Sequence, residues 1–142
     1  MRGVRALVLI GMALFGGACA EATVSGPTTA GNNASLTIET FGGTLPVGGS
    51  RFFSFTVPRS GLITLTLVSL TQAGEATSAQ VLLSLGAPRG TDCPALDARV
   101  AGVDVVPQLS LQPQPGVYCA RIADSGQLTD AVDFSINIVH PR

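Results

Sequence analysis

Few side chains in this 142-residue chain are of the kinds that do chemistry: three cysteines, one histidine and nine acids. Cys93 and Cys119 are the most informative pair. In an exported chain in an oxidising compartment, two remaining cysteines most simply join each other. The bridge would tie the Pro-rich middle of the chain to the strand carrying Tyr118, and on the loop-entropy model it stabilises by about 3–4 kcal/mol. A metal site would need further ligands, and no second cysteine or nearby histidine supplies them. His140, the sole histidine, precedes Pro141 near the end of the sequence. A Ser-His-Asp hydrolase needs a histidine held by a carboxylate beside an activated serine, and no G-x-S-x-G elbow is present. His140 is therefore expected to be structural or solvated.

The nearest paired carboxylates, Asp130 and Asp133, could in principle serve glycoside hydrolysis, but their close spacing beside the last strand favours a turn role. Gly42-Gly43 and Gly48-Gly49 lack the lysine and following helix of a phosphate cradle and read as turns. Sugar platforms offer exposed aromatic rings. This chain has no Trp and a single Tyr, and Phe52 is the one candidate for an exposed ring, with packing beneath a loop as its expected role. No catalytic residue, cofactor or metal is expected.

Three stretches organise these residues. Residues 1–20 look like an export signal, with Arg2 and Arg5 as the basic region, Ala6–Phe15 as the apolar region and small residues up to Ala20. The apolar stretch is shorter than the roughly 20 residues of a spanning helix. Two cuts compete. Cleavage after Ala20 satisfies the small-x-small rule and discards Cys19, whereas cleavage before Cys19 would leave it acylated. Gly16 departs from the bulky aliphatic of a lipobox, but Gly17 and Ala18 supply the small residues, and the anchored form with Cys19 lipidated is the expectation. Either cut leaves Cys93 and Cys119 to each other. Residues 21–34 are small and polar and read as a flexible linker; its Asn33-Ala34-Ser35 glycosylation pattern is expected to be a chance match.

Residues 35–142 are expected to form one all-β domain, an antiparallel sandwich of about eight strands, with a closed barrel as the alternative. The strands fall near 35–41, 51–57, 62–70, 79–85, 103–106, 109–112, 117–122 and 132–139, between Gly/Pro turns. Ile63, Leu65 and Leu67 alternate with threonines, and Val132, Phe134, Ile136 and Ile138 alternate with polar residues, the period of a half-buried strand. Ile63, Leu65, Leu67, Phe134, Ile136 and Ile138, with Phe53, Phe55, Val81, Leu83, Leu85, Tyr118 and Ile122, form the expected core. Without Arg2 and Arg5 the chain keeps six arginines against nine acids and no lysine, a formal charge of −3. That balance carries no footprint for nucleic acid.

GGTLPVGGSRFFSFTVPRSGLITLTLVSL, residues 42–70, resembles the opening half of the bacterial pre-peptidase C-terminal domain: a Gly/Pro turn, an aromatic strand, a short Gly turn and a Thr/Leu-rich strand. GVYCARIADSGQLTDAVDFSINIVHP, residues 116–141, resembles the end of small secreted domains of that type. The resemblance implies a β-sandwich of jelly-roll character that serves secreted proteases and other exported enzymes as a non-catalytic accessory. Some members of that family bind calcium through clustered acids. Asp92, Asp97, Asp104, Asp124, Asp130 and Asp133 form no D-x-D-x-D loop, so turn-capping or solvated roles are expected and no calcium ligand is carried over. The expectation is a non-enzymatic, exported module that meets an unknown protein or glycan ligand at the cell envelope and touches the membrane only through a lipid anchor. An accessory domain of a separately encoded protease or glycan-active enzyme is the alternative, and a small secreted hydrolase the next.

Overall fold

The computed structural model describes residues 35–142. The expected export signal and linker, with Cys19, lie outside the described residues. Strands β1 (Leu36–Leu45), β2 (Ser50–Val57), β3 (Ile63–Gln72), β4 (Glu75–Ala76), β5 (Val81–Gly86), β6 (Ala95–Ala101), β7 (Leu109–Leu111), β8 (Gly116–Asp124) and β9 (Val132–Pro141) form two antiparallel sheets. One sheet runs β1-β9-β3, with β4 and β7 both pairing β3, and the other runs β2-β8-β5-β6. With the two-residue β4 set aside, β1, β2 and β3 alternate between sheets, as do β7, β8 and β9. That is the order of a jelly-roll sandwich.

Alternation places the core between the sheets. Leu65, Leu67, Leu83, Leu85, Ile122, Ile136 and Ile138 are fully buried, with Phe55 and Phe134 almost so. Phe53 and Tyr118 are half-buried at the margin, where Phe53 stacks on Phe41 at 4.8 Å between ring centroids. In β3 the register slips between Leu67 and Ser69, which leaves Val68 without a ladder partner on the outer face and places Leu70 in the core. A bulge of this kind resets the period of two. On the outer face of β9, Asp133 is exposed while Ser135 and Asn137 are half-buried, because β9 lies between β1 and β3.

Two expectations need correction. Residues 103–106 are not a strand. The Asp104 carboxylate accepts from the backbone N–H groups of Val105 and Val106, a local alternative that competes with the ladder. The strand is β6 instead, whose Ala, Asp and Arg content gives weak β propensity and which owes its form to the register with β5. Gly42 and Gly43 are not a turn but part of β1, where the Phe134 ring lies 3.8 Å from the place a side chain on Gly43 would take. An aromatic side chain covering an edge-strand glycine replaces the packing that glycine lacks.

Asp124 closes the molecule at one end. Its Oδ2 accepts from the Gly48 N–H in the β1–β2 turn at 2.8 Å, and its Oδ1 accepts from Gly126, Gln127 and Leu128 in the β8–β9 connection. Gly48 and Gly126 take positive φ, 68° and 88°, which lets both turns present their N–H groups to one carboxylate. The Gly48 bond above all, then those from Leu128, Gly126 and Gln127, outweigh desolvation and hold Asp124 below the ordinary carboxylate range. A pKa lowered in the folded state contributes stability above the unfolded value, and that contribution is lost as pH falls through the folded one. Asp124→Asn turns an amide donor toward one of these N–H groups. It is expected to melt below the wild type at neutral pH, with the gap closing as the pH falls below the ordinary aspartate range.

Candidate functional site

The two cysteines left for the disulfide do meet: Cys93 and Cys119 are joined, with 6.1 Å between their Cα atoms. Both are buried. On β8 the core-facing residues are Tyr118, Ala120 and Ile122, so Cys119 belongs to the outer face, where it lies opposite Ser54 and Gly86. The bridge therefore fastens the connection between β5 and β6 down onto the outside of its sheet. Its 26-residue span contains β6, the crossing to the other sheet, and β7. β6 has only one buried residue, Ala101, so the covalent link does for this segment what apolar burial does for the others.

The crossing itself is held by backbone geometry. The N–H groups of Asp104 and Gln108 donate to the carbonyls of Leu67 and Leu65. The side-chain amide of Gln108 accepts from the Leu67 N–H at 2.8 Å and donates to the Gly102 carbonyl at 3.3 Å. At the β3 bulge, where a regular partner strand is missing, a side-chain amide thus takes the place of a peptide group.

Beside this crossing opens a cavity of about 340 Å³, bordered by Gln80, Arg99, Val100, Val103, Asp104 and Gln108 among others. Its lining is mixed, with one guanidinium, one carboxylate and aliphatic walls. Both ends of the Gln108 amide are engaged, and Asp104 Oδ1 is committed to its own turn. Among the described residues Arg99 has no salt bridge. The Arg99 guanidinium is the one charged donor on this lining, and the lining carries no side-chain hydroxyl or thiol to act as a nucleophile.

The other candidate residues are dispersed. His140 is buried, its ring 5.5 Å from that of Phe55, with Nε2 at 2.9 Å from Glu39 Oε1 and Nδ1 at 2.8 Å from the Pro141 carbonyl. Glu39 reaches it from the edge strand β1, 101 positions away in sequence. This arrangement closes the end of the core, and no side-chain hydroxyl is among the partners of the ring. Asp133 accepts from Thr44, its cross-strand neighbour, at 2.6 Å, while Asp130 accepts from Gln72. The two carboxylates thus serve separate structural contacts, Asp133 within a strand rather than a turn. Asp92, like Asp104, caps backbone N–H groups of its own turn. Asp97 caps the Ala98 N–H within β6. Phe52 is half-buried on the outer face of β2, opposite Arg121.

Among the described residues no group of three or more His, Cys, Asp or Glu side chains is placed to hold a metal ion, and no helix is long and apolar enough to cross a membrane. Sequence reasoning missed the cavity, because its lining is gathered from Gln80 and residues 99–108 by a crossing that has no periodic signal. Compared with known proteins, the chain matches no family model and no curated protein.

Proposed function

We propose that this chain is an exported, non-enzymatic β-sandwich module held at the cell envelope through an acylated Cys19, where it binds a protein or glycan partner. The observation that supports this reading most is the buried Cys93–Cys119 bridge, since structural disulfides persist in oxidising compartments. The signal-like residues 1–20 and the small polar linker agree with it. The jelly-roll order agrees with the resemblance to pre-peptidase C-terminal domains, which favours as second reading an accessory domain serving a separately encoded exported enzyme. The cavity bordered by Gln80, Val103 and Asp104 is the surface on which either role would draw.

Metabolic labelling with an alkyne-tagged fatty acid tests the anchor. The full chain expressed in its host is expected to carry the label and to sediment with membranes, and Cys19→Ala to do neither. An unlabelled wild type whose mature N-terminus is Glu21 would overturn the anchored form in favour of a released one.

A further inference from the structure

β6 closes its sheet at an open edge and exposes every residue from Ala95 to Val100. Its sequence, Ala95-Leu96-Asp97-Ala98-Arg99-Val100-Ala101, is complementary to itself when reversed. We infer that β6 is a self-association edge: two copies of this chain pair β6 against β6, antiparallel about a twofold axis at Ala98, so that two four-stranded sheets become one continuous sheet.

The register follows from the side chains. With Ala98 opposite Ala98 of the second copy, Asp97 lies opposite Arg99, Arg99 opposite Asp97, and Leu96 opposite Val100. Directly opposite side chains in an antiparallel pair share a face and lie close enough to interact. Asp97 and Arg99 share the inward face of β6, opposite Leu85 and Leu83 on β5, and both are exposed. Leu96 is 60% exposed and Val100 46% exposed, and pairing would cover both.

The neighbouring symmetric registers are unfavourable. Sliding by one pair in one direction opposes Asp97 to Asp97, and in the other direction Arg99 to Arg99. Inward-pointing charges on an edge strand are a known barrier to indiscriminate pairing. Here the barrier has one exception, because only a second β6 in this register presents each charge with its opposite. Arg99, which has no salt bridge among the described residues, gains one, while Asp97 exchanges its bond to the Ala98 N–H within its own strand for the second copy's guanidinium and frees that N–H for the ladder between the copies. An isologous contact of this kind is also closed, so it stops at two copies rather than growing into a fibre.

Charge swaps read out the register. In sedimentation equilibrium of the full chain, wild type is expected to dimerise. Asp97→Arg and Arg99→Asp each convert both opposite-charge pairs into like-charge pairs and are expected to weaken dimerisation by about tenfold or more. The double variant Asp97→Arg/Arg99→Asp restores complementarity and is expected to return to within about threefold of wild type. A wild type that stays monomeric would overturn the inference. So would association that is unchanged in the single variants, since contacts through the N-terminal segment would ignore these charges, or a double variant as weak as the singles.

Discussion

Removing the bridge in a Cys93→Ala/Cys119→Ala protein is expected to lower the unfolding free energy by about 3–4 kcal/mol, from the loop-entropy cost for a span of this length. The span is 26 residues, and a whole domain of this size is commonly stable by only about 5–15 kcal/mol. The loss therefore falls in the range where a cooperative fold is placed at risk. The reason for so large a dependence is local. β3, β5 and β9 are fixed by rows of buried aliphatic side chains, but β6 and the crossing that follows it contribute little to the core. Their held state rests on the β5 ladder, the Gln108 amide and the bridge. In urea the double variant is expected to show a lower midpoint. Hydrogen exchange in β6 and the crossing is expected to quicken more than in β3 or β9. A midpoint equal to that of the wild type would show that the ladder alone holds the segment.

Gly86→Ala is the second large effect. A methyl group built at this position would stand 2.0 Å from the Pro94 carbonyl oxygen and 2.9 Å from its carbon. Both are backbone atoms, so no rotamer change relieves the contact. The pairing of β5 with β6 slips at the same place, from Leu85 opposite Asp97 to Gly86 opposite Ala95. Gly86 also lies opposite Cys119 on its other side. Glycine here permits the close approach of two backbones that brings Cys93 within reach of β8. Substitution must push residues 94–95 away and strain the bridge, and overpacking of this kind costs about 1–3 kcal/mol or more. Gly102→Ala serves as the control. Its methyl group would meet only the Ala79 carbonyl oxygen at 3.8 Å, so a change within about 0.5 kcal/mol is expected. Equal effects of the two substitutions in thermal unfolding would contradict the close-approach account.

What the sequence makes legible follows the range over which each feature is determined. The alternation in β3 and β9 is written in adjacent residues, and the sandwich and its central core residues are readable from it. The cysteine pairing is readable by elimination, because either expected cut, by loss or by acylation, sets Cys19 aside. β6 is not readable, because Ala-Leu-Asp-Ala-Arg-Val-Ala has neither the composition nor the polarity period of a strand. It becomes one only beside Val81–Gly86. Residues 103–106 mislead in the opposite sense. Two adjacent valines suggest a strand, but Asp104 ties their N–H groups into a turn. Asp124 is recognisable as a turn aspartate, yet its bond to Gly48 spans 76 positions and joins two turns that look independent in the sequence. The same distance hides the His140–Glu39 pair. Pairings of that range are set by topology.

The central claim is that this fold is completed outside the cytoplasm, with an N-terminus processed at Cys19 or Glu21 and Cys93 bonded to Cys119. Its most direct test is the intact and peptide mass of the protein taken from its native host, acid-quenched and alkylated before any reduction. The account predicts a chain lacking the leader, with neither Cys93 nor Cys119 alkylated and the two peptides linked. A chain that retains Met1 and carries the alkyl mark on both cysteines would contradict it.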